Sequence, residues 1–117
     1  MRKLVPGGAI AAAMLLIVFA ASSANAACPA IPKMPQMPQG ASASDDEMKE
    51  GRVKLQKYVD ILQTFQKCRE DLIKNAPPDT KPELKQQWQA EADIAVDNAH
   101  EIADIYSIQL RAFKARQ

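Results

Sequence analysis

Asn75-Ala76-Pro77-Pro78-Asp79-Thr80-Lys81-Pro82 interrupts an otherwise continuous helical pattern, and its reading decides the fold. Pro77 disfavours helical geometry at Ala76, and two adjacent prolines cannot continue a helical hydrogen-bond ladder, so a first helix ends near Asn75. A second begins at once. Thr80 and Glu83 stand at capping-box spacing, and Pro82 is tolerated in a first turn. A connection this short makes the two helices an antiparallel hairpin.

Toward the N-terminus, Ser44 and Glu47 offer a second capping box, which predicts a helix over about 45–75. Met48, Leu55, Tyr58, Leu62, Phe65 and Leu72 recur at heptad-like spacing with Val59 and Ile73 beside them, while Lys49, Lys57, Gln63, Lys67 and Glu70 occupy other faces. Toward the C-terminus, a helix over about 80–115 presents Trp88, Ala92, Ala95, Ala99, Ile102, Tyr106, Leu110 and Phe113 as its stripe. The alanines in the middle let the opposite helix come close. Arg111, Lys114 and Arg116 suit the negative end of that helix's dipole.

Two helices alone leave a flank exposed, and residues 28–40 carry the pattern that fills it. Pro29, Pro32, Pro35 and Pro38 recur every third residue, the period of a polyproline II helix. Ile31, Met34 and Met37 repeat on the same period as a second apolar edge, leaving Ala30, Lys33, Gln36 and Gln39 for water. From Cys28 to Gly40 such a path covers about 37 Å, and from Ser44 back to Cys68 along a helix is about 36 Å. A turn at Gly40 therefore folds the segment back along the first helix and sets Cys28 beside Cys68. The predicted fold is all-α, an antiparallel two-helix hairpin with a polyproline II segment packed along it and one disulfide as staple. An entropic cross-link closing a loop of about 40 residues is worth about 4 kcal/mol, comparable to the whole stability of a domain this small.

The pairing agrees with the address. Residues 1–26 have the three parts of a secretory signal: Arg2 and Lys3, an apolar stretch from Ala9 to Ala21, and the small-residue end Ala24-Asn25-Ala26. That stretch is roughly 13 residues, short of the ~20 that span a bilayer. Cleavage after Ala26 would leave residues 27–117 in an oxidising compartment, periplasmic or secreted, where an even cysteine count pairs. The organisation expected is a cleaved signal peptide (1–26), a proline-rich segment and turn (27–44) and a helical hairpin (45–117). Lipidation of Cys28 is the competing fate. Asn25, three residues before it, stands where lipoprotein signals usually carry an aliphatic residue.

The chain has 117 residues, 25% of them charged and 5% aromatic, which holds one small domain and excludes a large multi-domain enzyme. Loss of Arg2 and Lys3 with the signal takes the formal charge from +1 to about −1, which lacks the basic footprint of a nucleic-acid binder. No Gly-rich phosphate loop, G-x-S-x-G elbow or H-E-x-x-H sequence is present, and Ser42, Ser44 and Ser107 have no visible base. A redox pair usually reads C-x-x-C, whereas Cys28 and Cys68 stand far apart. The chain reads as non-enzymatic, with no cofactor.

Two metal readings arise. Asp93, Asp97, His100 and Asp104 share one face of the second helix, a carboxylate and imidazole stripe able to hold a divalent ion weakly, although such stripes ordinarily only keep a helix solvated. Met34, Met37 and Met48 are soft ligands of the kind Cu(I) prefers, but the first two already form the apolar edge of the proline segment. The P-x-x-P repeat also matches ligands of SH3-like grooves, and self-packing explains its length and apolar edge better. Ile94, Ile105 and Ile108 lie off the main stripe of the second helix. Unless the proline segment covers them, they form an exposed apolar strip for a homodimer or an unknown protein partner.

The run Cys28-Pro29, the repeated prolines, Gly40-Ala41, Glu47-Met48, Tyr58 and Cys68 resembles a group of small exported, periplasmic bacterial proteins with a proline-rich N-terminus and a paired cysteine, a group without an assigned function. The likeness covers roughly residues 28–70. It implies export and the shared cysteine pair, and it implies no activity, cofactor or catalytic residue. The function expected is that of a small exported interaction or structural protein acting through its hairpin surface, with weak metal binding as the alternative and no membrane attachment after cleavage. Intact mass spectrometry of protein recovered from the periplasm checks the address: the mass should start at Ala27 and gain two alkyl groups only after reduction. A lipid-sized increment would refute it.

Overall fold

The structure, a computed structural model, describes residues 28–117; the predicted signal peptide lies outside the described residues. Two helices make up the element order, α1 (Asp45–Lys74) and α2 (Pro82–Ala115), and they pack against each other. Helix α1 starts as its sequence requires. Ser44 is extended at the N-cap, its Oγ accepts from the Glu47 backbone N–H at 3.1 Å, and Glu47 Oε1 accepts from the Ser44 backbone N–H at 3.0 Å. Asp45, Asp46 and Glu47 place negative charge in the first turn, where the helix dipole favours it.

Helix α2 starts differently from the expectation. Its N-cap is Lys81, with φ −63° and ψ 134°, and no side chain caps it, so Thr80 and Glu83 do not form a capping box. The cause is Pro82. A proline pushes the residue before it out of the helical region, so Lys81 cannot be a helical residue following a Thr80 cap. Thr80 instead closes the connection, its backbone N–H donating to Pro77 O at 3.0 Å.

The core follows the two stripes. Tyr58, Leu62 and Phe65 of α1 meet Ala95 and Ile102 of α2, with Leu62 1% and Ile102 0% exposed. Leu55, Val59 and Ala99 pack around them. A second cluster at the open end joins Ala43, Met48 and Phe113, with Tyr106 and Leu110 beside them. The start of α1 thus meets the end of α2, as an antiparallel hairpin requires.

Residues 28–43, here called the strap, belong to neither helix. At one end Cys28 is bonded to Cys68 of α1, their Cα atoms 5.7 Å apart. Ile31, Met34 and Met37 are half-buried against the Tyr58 and Ile102 cluster, whereas Ala30, Lys33, Gln36 and Gln39 are exposed. At the other end the strap turns, with Gln39 O accepting from the backbone N–H groups of Ser42 and Ala43.

Two glycines allow this close approach. Gly40 lies against α2, where its N–H donates to Gln109 Oε1 at 2.8 Å, and a Cβ there would overlap the Gln109 carbonyl and come within 2.9 Å of Phe113 N. Gly51 of α1 is buried beneath the strap, and a Cβ would stand 2.6 Å from Pro38 Cδ. Alanine in place of a helical glycine normally stabilises by about 0.5–1 kcal/mol. Gly51→Ala should instead destabilise, by about 1–3 kcal/mol, because the proline ring must be displaced. Chemical denaturation of the two proteins reads the sign directly.

Candidate interaction surface

Ile94, Ile105 and Ile108 stand on one face of α2, separated by eleven and three residues, close to whole numbers of helical turns. Core formation does not consume that face. Ile94 is 51% exposed and Ile108 53% exposed, while Ile105 is half-buried. The strap's close contacts with α2 lie elsewhere, at Gln109, Phe113 and Arg116. Glu101, four residues before Ile105, sits exposed within the same face, and Asp97, Asp104 and Arg111 border it, each three or four residues from Ile94 or Ile108.

Asp93, Asp97, His100 and Asp104 are all exposed on α2. Asp93 Oδ1 accepts from Gln89 Nε2 at 3.0 Å, a contact within the helix. Among the described residues, no three His, Cys, Asp or Glu side chains are gathered where they could hold one metal ion. Met34 and Met37 lie against the core, and Met48 is buried in the open-end cluster.

Other apolar surface lies outside those candidate residues, and Ile61, whose spacing puts it on the Cys68 flank expected to carry the proline edge, is 40% exposed. Val53, 51% exposed, and Ile61 are large apolar residues open to water on α1. Ile61 borders a groove of about 470 Å³ with Pro29, Ala30, Pro32 and Thr64, between α1 and the Cys28 end of the strap. A second groove, about 500 Å³, lies at the connection, where Cys68 and Leu72 of α1 face Pro77 and Trp88. Near it, Arg69 Nε of α1 meets Glu91 Oε2 of α2 at 2.7 Å, and the guanidinium lies 5.0 Å from the Phe65 ring centre. This interhelical ion pair is largely shielded from water. Spacing within one helix reveals neighbours three and four apart, and it carries no register between helices, which is why this pair is absent from the sequence reading.

The outer face of α2 and its core face should separate cleanly by mutation. Ile94→Gln and Ile108→Gln should each change unfolding free energy by no more than about 0.5 kcal/mol, whereas Ile102→Ala should cost about 2–5 kcal/mol. Denaturant titration of the three variants measures both. Comparison of the chain with protein-family models, with curated proteins and with solved structures finds no match.

Proposed function

We propose that this chain is a small exported, non-enzymatic interaction or structural protein, periplasmic or secreted, that binds a protein partner or a second copy through the outer face of α2. The single observation that carries the reading is the exposure of Ile94 and Ile108 on one helical face that neither α1 nor the strap covers. Isolated exposed aliphatics are ordinary, but aligned ones on a well-packed helix form a patch that association can dry. A four-helix bundle is the simplest closed form for two hairpins meeting this way.

Export is supported by the three-part pattern at the N-terminus and by the Cys28–Cys68 disulfide, which persists in oxidising compartments. Among the described residues, no helix is long and apolar enough to cross a membrane. The strap is read as polyproline II because its three-residue period in sequence coincides with its burial, Ile31, Met34 and Met37 inward and Lys33 and Gln36 outward. In that reading its task is internal, covering the hairpin core rather than serving as a ligand for another protein.

Sedimentation over a range of concentrations, together with a photo-crosslinker at position 108 in the exporting cell, tests the proposal. The native chain should gain mass with concentration or give one discrete crosslinked product, and Ile108→Glu should abolish either without lowering the melting temperature. A chain that stays monomeric and yields no crosslink from position 108 would overturn it.

A further inference from the structure

We propose that the seat of the strap is also an interaction surface for the strap of a second copy, so that thiol–disulfide exchange at Cys28–Cys68 converts the closed monomer into a reciprocal, disulfide-linked dimer. The inference concerns a different surface from the outer face of α2 and does not depend on it.

The seat and its occupant are both visible. Residues Ile31, Met34 and Met37 fill the flank formed by Tyr58, Leu62, Phe65 and Ile102. The shape that fits this flank is therefore an extended segment with bulky apolar side chains at every third position, and a second copy carries an identical one. The strap lies outside helix and sheet, so no regular ladder of backbone hydrogen bonds fixes it. Its ends are held differently. The Gly40 end is tied by the N–H bond to Gln109 and by Arg116 Nη2 donating to Ala43 O at 2.6 Å. The Cys28 end is tied covalently, through Cys68.

That covalent tie lies at the edge of a cavity. Cys68 lines the open groove of about 500 Å³ beside Leu72, Pro77 and Trp88, while Cys28 is 9% exposed. The attack comes from a small thiol of the glutathione class. Its thiolate enters the groove and bonds to Cys68 Sγ, breaking the Cys28–Cys68 bond and leaving Cys28 as the thiolate. The freed strap swings about the Gly40 turn. Its Cys28 thiolate then attacks the mixed disulfide on Cys68 of the second copy and expels the small thiol unchanged. Repeated in the other direction, two intramolecular disulfides become two intermolecular ones. Electrons balance without an added oxidant, and the small thiol is a catalyst.

Exchange competes with reclosure at the high effective concentration of a tethered strap, so the dimer should grow with protein concentration. The decisive experiment mixes equal amounts of unlabelled and 15N-labelled purified protein. The mixture, at about 1 mM, is equilibrated with reduced and oxidised glutathione, then quenched by alkylation for peptide mapping of the dimer band on a non-reducing gel. The result expected is that nearly all intermolecular disulfides join Cys28 to Cys68, with mixed-isotope pairs present. Random oxidation would instead give about half Cys28–Cys68 and about a quarter each of the two like pairings. That distribution, or Cys28–Cys68 peptides without mixed isotopes at any concentration, would overturn the proposal. Met34→Asp supplies the control for the seat: it weakens the same contact in the closed monomer and in the exchanged dimer, so both should give way to glutathione-capped chains, and the Cys28–Cys68 share of the intermolecular bonds should fall from nearly all toward about half.

Discussion

Two packed helices bury only the strip along which they touch, and the apolar stripes of α1 and α2 are wider than that strip. Tyr58, Leu62 and Phe65 would keep one edge in water if Ala95 and Ile102 were their only neighbours. The third contact comes from Ile31, Met34 and Met37, so the core exists in its observed form only while the strap is seated. The Cys28–Cys68 bond holds it there. The disulfide acts by removing open conformations of the unfolded chain as much as by adding contacts to the folded one, the usual way a staple stabilises a small domain.

Close approach is the second requirement, and small residues meet it at each junction. Ala92 and Ala95 are nearly fully buried on α2, which lets α1 come near, and Gly51 clears the path of Pro38. At Gly40 the strap backbone touches the backbone of α2 directly. None of these positions is needed for its conformational freedom, since no glycine among the described residues has a positive φ. They are selected by volume.

Much of this was legible in the sequence, because the signals were local or periodic. Ser44 with Glu47 marked the start of α1, Pro77-Pro78 its end, and the three- and four-residue spacing picked out Met48, Tyr58, Leu62, Phe65, Trp88, Ala92, Ala95, Ile102 and Phe113, all buried. The two cysteines, Cys28 and Cys68, were expected to pair from their even count, and they do. The start of α2 was misplaced where two local rules compete: the spacing of Thr80 and Glu83 favours a cap, and the restriction that Pro82 imposes on Lys81 is stronger. Arg69–Glu91, Gly40–Gln109 and Arg116–Ala43 were invisible for a different reason. Each joins residues distant in the chain, and their meeting depends on the register between helices, which periodicity leaves free.

The distribution of these distant contacts bears on how the outer face of α2 can work. The connection joins the helices covalently at one end of the hairpin, with Arg69 and Glu91 paired toward it. At the other end, Tyr106 donates to Met48 O at 3.3 Å, Arg116 to Ala43 O and Gly40 to Gln109, so the final turns of α2 are tied to the start of α1 and to the strap. Helix α2 is therefore held at both ends and packed along its core side between them. A helix pinned this way presents Ile94, Ile105 and Ile108 at fixed separations, and a surface already ordered loses little conformational entropy on association. The constraint that builds the fold and the surface proposed for binding thus occupy different sides of one helix, and a substitution at an exposed position such as Ile108 should leave the core in place.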